Sequence, residues 1–245
     1  MLNVFLWGLL ATSSLIMGGI IATRFKLSKR AIGVIMGFGA GSLISAVSYE
    51  LVYESVILAK GSGYPAFGFF TGAFVFFFAD KIISNFGAGN RMAMKGSGPS
   101  GLVVPMVLAI ILDGVPESIV IGLGLFEGGV VSMAMLVAVF ISNLPEAIAG
   151  SVGMKESGIQ RRKITLLWLG IALFCAFSTV AGFSLFSSAS AYWLSFIQAF
   201  AGGAILMMLA NSMIPEAYEH GGKLAGVFTV LGFFISVAIV ILENS

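Results

Sequence analysis

Eight stretches of about 20 apolar residues follow one another along this chain, each long enough to carry a helix across the hydrocarbon core of a bilayer. They run approximately 2–23, 31–57, 64–84, 101–126, 129–153, 164–186, 190–218 and 224–243. Backbone polar groups surrounded by lipid must be satisfied within their own segment, which confines such a chain to a bundle of helices. The expected fold is an all-α polytopic membrane protein with eight transmembrane helices, forming one transmembrane domain over 1–245. A composition that is 58% hydrophobic and only 10% charged leaves no soluble tail or charge block for a second domain. The longest connection, from about Ser84 to Ser100, is rich in Gly and Ser and reads as a flexible linker. The first span has no basic segment before it, and Arg24 follows it, which argues against a cleaved signal peptide.

Orientation follows from where the basic residues fall. Lys and Arg number thirteen, and Lys60 alone lies on one side of the expected bundle. The other twelve, including Arg24, Arg30, Lys81, Arg161 and Lys223, lie in or beside the connections after spans one, three, five and seven. Basic residues stay cytoplasmic, so both termini are expected to be extracytoplasmic. With no organelle-targeting segment, the expected location is a prokaryotic plasma (inner) membrane, with the lipid bilayer as a partner. No nucleic-acid partner is expected, and a homodimer is an open option.

The acids are distributed differently. Asp113, Glu117 and Glu146 fall in the middle of spans four and five, while no Lys or Arg lies in the interior of any span. Placing one charged group at a helix centre costs roughly 2.5–3.5 kcal/mol even on the lenient insertion scale. Three such acids must be protonated, solvated in a cavity, or neutralised by a mobile cation. Asp113 and Glu117 are four residues apart and share one helix face; Ser142 and Glu146 repeat that spacing, and Asn143 is three before Glu146. Pro116 and Pro145 each remove a helical hydrogen bond and release a carbonyl, at Leu112 and Ile141. Carboxylate, amide, hydroxyl and backbone oxygens together make an oxygen-rich cation site. The competing reading is a pair of kinked helices whose acids are protonated and bonded to neighbours. Glu50, Glu54, Asn211 and Glu216 lie towards the ends of spans two and seven, where they read as relays on the way in and out or as headgroup-facing acids. His220, four residues after Glu216, reads as a solvated loop histidine. Cys175, the only cysteine, excludes an internal disulfide and reads as a small packing residue.

Two internal repeats are visible. The run from Asp113 to Ile119 (Asp-Gly-Val-Pro-Glu-Ser-Ile) matches that from Ser142 to Ile148 (Ser-Asn-Leu-Pro-Glu-Ala-Ile) at an offset of 29. The run from Gly37 to Gly41, followed by Glu54, matches that from Ala199 to Gly203, followed by Glu216, at an offset of 162. The paired spans cross in opposite directions, so these are expected to be inverted repeats, the signature of a secondary transporter.

With these motifs on two adjacent spans of an eight-span chain, the sequence resembles the ZIP (Zrt/Irt-like) family of divalent metal-ion transporters. Pro215-Glu216 on span seven also suits that family. The resemblance implies transport of zinc or a harder ion, Mn²⁺ or Fe²⁺, with no prosthetic group. It implies a metal set of Asp113, Glu117, Ser142, Asn143 and Glu146, with Glu50 and Glu216 on the path. The chain departs from the family where histidines are usual, having Asp113 and Ser142 there, and Gly114 where span four usually has Asn. Span six has no bridging acid, and no His-rich loop joins spans three and four. Oxygen ligands favour harder ions. Two alternatives remain open at this point: a proton-coupled or monovalent-cation transporter, and a non-transporting ZIP-like scaffold. No His-Asp, Ser-Lys or Gly-x-Ser-x-Gly arrangement occurs in the spans, so an enzyme is not expected.

Overall fold

The computed structural model describes residues 1–85, 103–128, 132–186 and 189–243, and no strand occurs among them. Among the described residues, eight helices are long and apolar enough to cross a membrane: Leu2–Arg24, Lys29–Leu58, Tyr64–Ile83, Val107–Phe126, Met133–Glu156, Arg161–Leu185, Ala191–Gly221 and Lys223–Glu243. The fourth continues at both ends, over Val103–Gly128. The chain is a multi-pass membrane protein. The connection read as a linker, 84–100, falls almost wholly outside the described residues.

Helix ends differ from the apolar pattern where a side chain sets them. Span two starts two residues before its apolar run because Ser28 caps it, accepting from the Ala31 amide at 3.1 Å. Span five starts four residues after its apolar run begins. Ser132 accepts from the Met135 amide at 3.2 Å, and the Glu243 carboxylate accepts from the Met133 and Ala134 amides. The end of span eight thus closes the start of span five. Span seven runs on to Gly221 and stops at Gly222, whose φ of 59° suits a residue without a side chain.

Burial separates inner from outer helices. In the most apolar part of span five 72% of residues are buried, against 17% in spans three and eight. The rings of Phe67, Phe70, Phe74 and Phe78 on span three lie exposed, as lipid-facing side chains must. Those two outer helices are held by glycine. A methyl on Gly41 or Gly37 of span two would overlap the Thr229 or Ala225 carbonyl of span eight. Likewise Gly68 and Gly72 of span three lie against the Phe196 and Phe200 carbonyls of span seven. Small residues replace hydrophobic driving force in lipid by letting backbones approach closely.

Spans two and seven each contain a wider π-helical turn, Val47–Tyr53 and Leu209–Met213. Spans four and five, by contrast, run unbroken through Pro116 and Pro145. Span six is anchored by Trp168, fully buried, whose indole N–H donates to the Ser151 hydroxyl of span five at 2.7 Å.

Candidate cation site between spans four, five and six

Asp113, Glu117, Ser142, Asn143 and Glu146 are all buried inside the bundle, with Glu117 only 1% and Glu146 3% exposed. The four-residue spacing on each helix puts each pair on one face, and the packing turns both faces inward. The Asn143 side chain faces the Glu117 carboxyl across the two helices, and Asp113 adds its charge from one turn away on the same helix. Glu117 Oε2 and Asn143 Nδ2 are both buried and without a hydrogen-bond partner among the described residues. The Ser142 hydroxyl donates to the Val139 carbonyl at 3.0 Å, which leaves its oxygen lone pairs available. Span two closes this side: a Cβ on Gly39 would stand 3.0 Å from the Ser142 Cα and 3.1 Å from the Met213 Cε of span seven.

Span six supplies a wall that sequence reasoning did not assign to the site. Cys175, fully buried, has its thiol against Ser118 and within the field of Glu117 and Glu146. A Cβ on Gly114 would stand 3.0 Å from its Sγ. The reading of Cys175 as a small packing residue holds: it lies in a buried apolar cluster with Leu15, Trp168 and Ile171.

The two residues expected on the path, Glu50 and Glu216, lie on spans two and seven. Glu50 bonds to Ser132 at the start of span five and lies in the field of Glu54 and Glu243. Ser132 precedes Glu146 by 14 residues, about 21 Å along a helix. Glu216 lies on span seven three residues beyond Met213, on the segment that packs through Ala217 and Gly221 against Gly33 of span two. Among the described residues no three His, Cys, Asp or Glu side chains are gathered closely enough to hold one metal ion. The site as it stands is a buried, acidic set of oxygen donors on two helices, walled by a third.

No protein-family profile matches the chain, and no curated protein is significantly similar to it.

Proposed function

We propose that this protein carries divalent metal cations, zinc or a harder ion such as Mn²⁺ or Fe²⁺, across the plasma membrane through the cleft between spans four and five. The observation that carries the reading is the burial of Asp113, Glu117 and Glu146 with no basic residue in the interior of any span. A charge cluster of one sign in a low-dielectric interior is stabilised by a counter-ion, and a transporter's cargo is a counter-ion that can leave. Because no three ionisable groups converge among the described residues, an ion here is held by at most two carboxylates at once. Asn143, Ser142 and retained water complete its shell. That moderate grip suits an ion that must be released.

The inverted-repeat arrangement, with both termini extracytoplasmic, belongs to the same proposal. It is supported by four contacts. Gly41 lies on the Thr229 carbonyl and Gly203 on the Phe69 carbonyl; the glycines are 162 residues apart and the carbonyls 160. Gly232 lies on the Phe38 carbonyl and Gly72 on the Phe200 carbonyl, with the same two offsets. The π-helical turns begin at Val47 and Leu209, again 162 apart. Span two packs on span eight and span three on span seven in a reciprocal way, as two halves related by an axis in the membrane plane would. π-Helical turns are frequent at functional sites.

The proton-coupled or monovalent-cation alternative draws on the same lack of a three-group cluster. One experiment separates them. The purified protein is reconstituted in liposomes, and uptake of Mn²⁺, Fe²⁺, Zn²⁺, Na⁺ and H⁺ is measured. Uptake of a divalent ion that Glu117→Ala and Glu146→Ala each abolish supports the proposal. Flux of protons or Na⁺ alone selects the alternative, and no flux of any ion selects the scaffold.

A further inference from the structure

We infer that the adjoining ends of spans one and six form a binding surface for an anionic phospholipid, whose headgroup phosphate is held by basic side chains from both. Span one ends at Arg24, and span two begins with Lys29 and Arg30 after the short connection 25–28, which carries Lys26. Span six begins with Arg161, Arg162 and Lys163. All of these side chains are exposed. Neither segment, 24–30 or 161–163, contains an acid. The surface is independent of what the central cleft carries.

More than a hundred residues separate the two segments, and helix packing brings them to one level. The Thr12 hydroxyl donates to the Ala172 carbonyl at 3.2 Å, and a Cβ on Gly19 would overlap the Trp168 indole. Moving forward along span one is therefore moving backward along span six, so the two helices are antiparallel. Arg24 lies five residues beyond Gly19 and Lys163 five residues before Trp168, each about 7.5 Å along its own axis. Packed helices have axes about 8–10 Å apart, a gap that long basic side chains from the two ends close on one phosphate.

Orientation alone does not account for this placing. Basic residues set orientation wherever they fall on the retained side of the membrane. Here Lys29 and Arg30, and again Arg161 to Lys163, occupy the first turns of helices, with no acid in either turn. A helix start carries positive charge of its own, so cations there oppose the dipole until an anion joins them. The connections are also anchored. Leu27 packs on the main apolar core and Ile159 on the cluster around Trp168, so the charges are presented from fixed backbone. Phe25, 63% exposed, stands between Arg24 and Lys26. An apolar ring among cations suits the boundary between headgroups and acyl chains. At the ends of membrane spans the anions at hand are lipid phosphates, and basic clusters beside or between spans bind anionic headgroups.

The test titrates the full chain, purified in detergent, with phosphatidylglycerol and with phosphatidylcholine, and reads the first retained lipid by native mass spectrometry. The expected result is tighter retention of phosphatidylglycerol. Arg161→Gln with Arg162→Gln should lower that preference, by roughly fivefold for each basic residue removed. Arg24→Gln with Lys26→Gln should lower it similarly from the other segment, so a variant that fails to fold leaves the second to decide. Lys81→Gln with Lys223→Gln removes two equally exposed charges at the ends of other spans and should leave the preference unchanged. An unaltered protein that retains the two lipids equally overturns the inference. So does a preference that neither segment's variant lowers. An equal loss in the Lys81 and Lys223 variant would show diffuse surface charge and no site. Displacement of phosphatidylglycerol by an equal concentration of inorganic phosphate would make the ligand free phosphate and overturn the lipid assignment.

Discussion

Gly41 of span two lies against the Thr229 carbonyl of span eight so closely that a methyl group there would overlap the oxygen. Gly203 of span seven meets the Phe69 carbonyl of span three in the same way. Neither neighbour is a flexible side-chain tip that could swing aside, because both are helix backbone. Gly41→Ala and Gly203→Ala are each expected to destabilise the protein, by about 1–3 kcal/mol as overpacking does. Gly124→Ala, with nothing within reach of the added carbon, serves as the control. Thermal unfolding in detergent checks this. If the two halves are related as proposed, the two losses should be similar; a loss at one site only would count against the pairing.

The Trp168 indole is the largest fully buried side chain, and its N–H has the Ser151 hydroxyl as acceptor at 2.7 Å. Ser151→Ala removes that acceptor in a dry interior and leaves a buried donor unpaired. A loss of about 1–3 kcal/mol is expected. Ser13→Ala, whose exposed hydroxyl bonds its own helix, should change stability far less. Equal unfolding temperatures for the two variants would show that the indole finds another partner.

Much of this architecture was legible in the sequence because it rests on apolar length alone. All eight spans appear within a few residues of the apolar runs. What was not legible depends on contacts between distant residues. The start of span five is set by Glu243, more than a hundred residues away, through two amides of its first turn. The π-helical turns in spans two and seven have no periodic signature in a run that is apolar on most faces. The carboxylates of the site could be read because an acid inside an apolar run is conspicuous. Cys175 was legible as a packing residue, because a cysteine inside an apolar run falls among apolar neighbours, here Leu15, Trp168 and Ile171. Glu50 could be placed near the end of span two from the sequence, but its partner Ser132, at the start of span five, could not be foreseen.

The basic residues make topology a direct measurement. Lys60 alone is set against twelve others, so Lys60→Cys should react with a membrane-impermeant thiol reagent added to intact cells, and Arg161→Cys should not. The native thiol is removed first with Cys175→Ala. Labelling of position 161 and not 60 from outside would reverse the proposed orientation.

Ion preference is set by what stands at position 113. Asp113 shares a face with Glu117 and acts on it electrostatically, so a side chain at 113 is close enough to shape an ion's shell. Imidazole suits Zn²⁺ better than Mn²⁺, whereas carboxylate suits both with less discrimination. Asp113→His removes one negative charge, which weakens the grip on every divalent ion, and adds a nitrogen donor, which offsets that loss for zinc alone. The expected outcome is a higher Zn²⁺-to-Mn²⁺ affinity ratio, with Mn²⁺ affinity falling outright. Titration of the purified protein with each ion reads both quantities. Glu219→Gln, on the short segment after Met213, tests whether any lost acid acts similarly from a distance, and should leave the ratio unchanged. If Asp113→His lowers both affinities in step, the side chain at 113 contributes charge without touching the ion, and selectivity lies with the donors on span five instead.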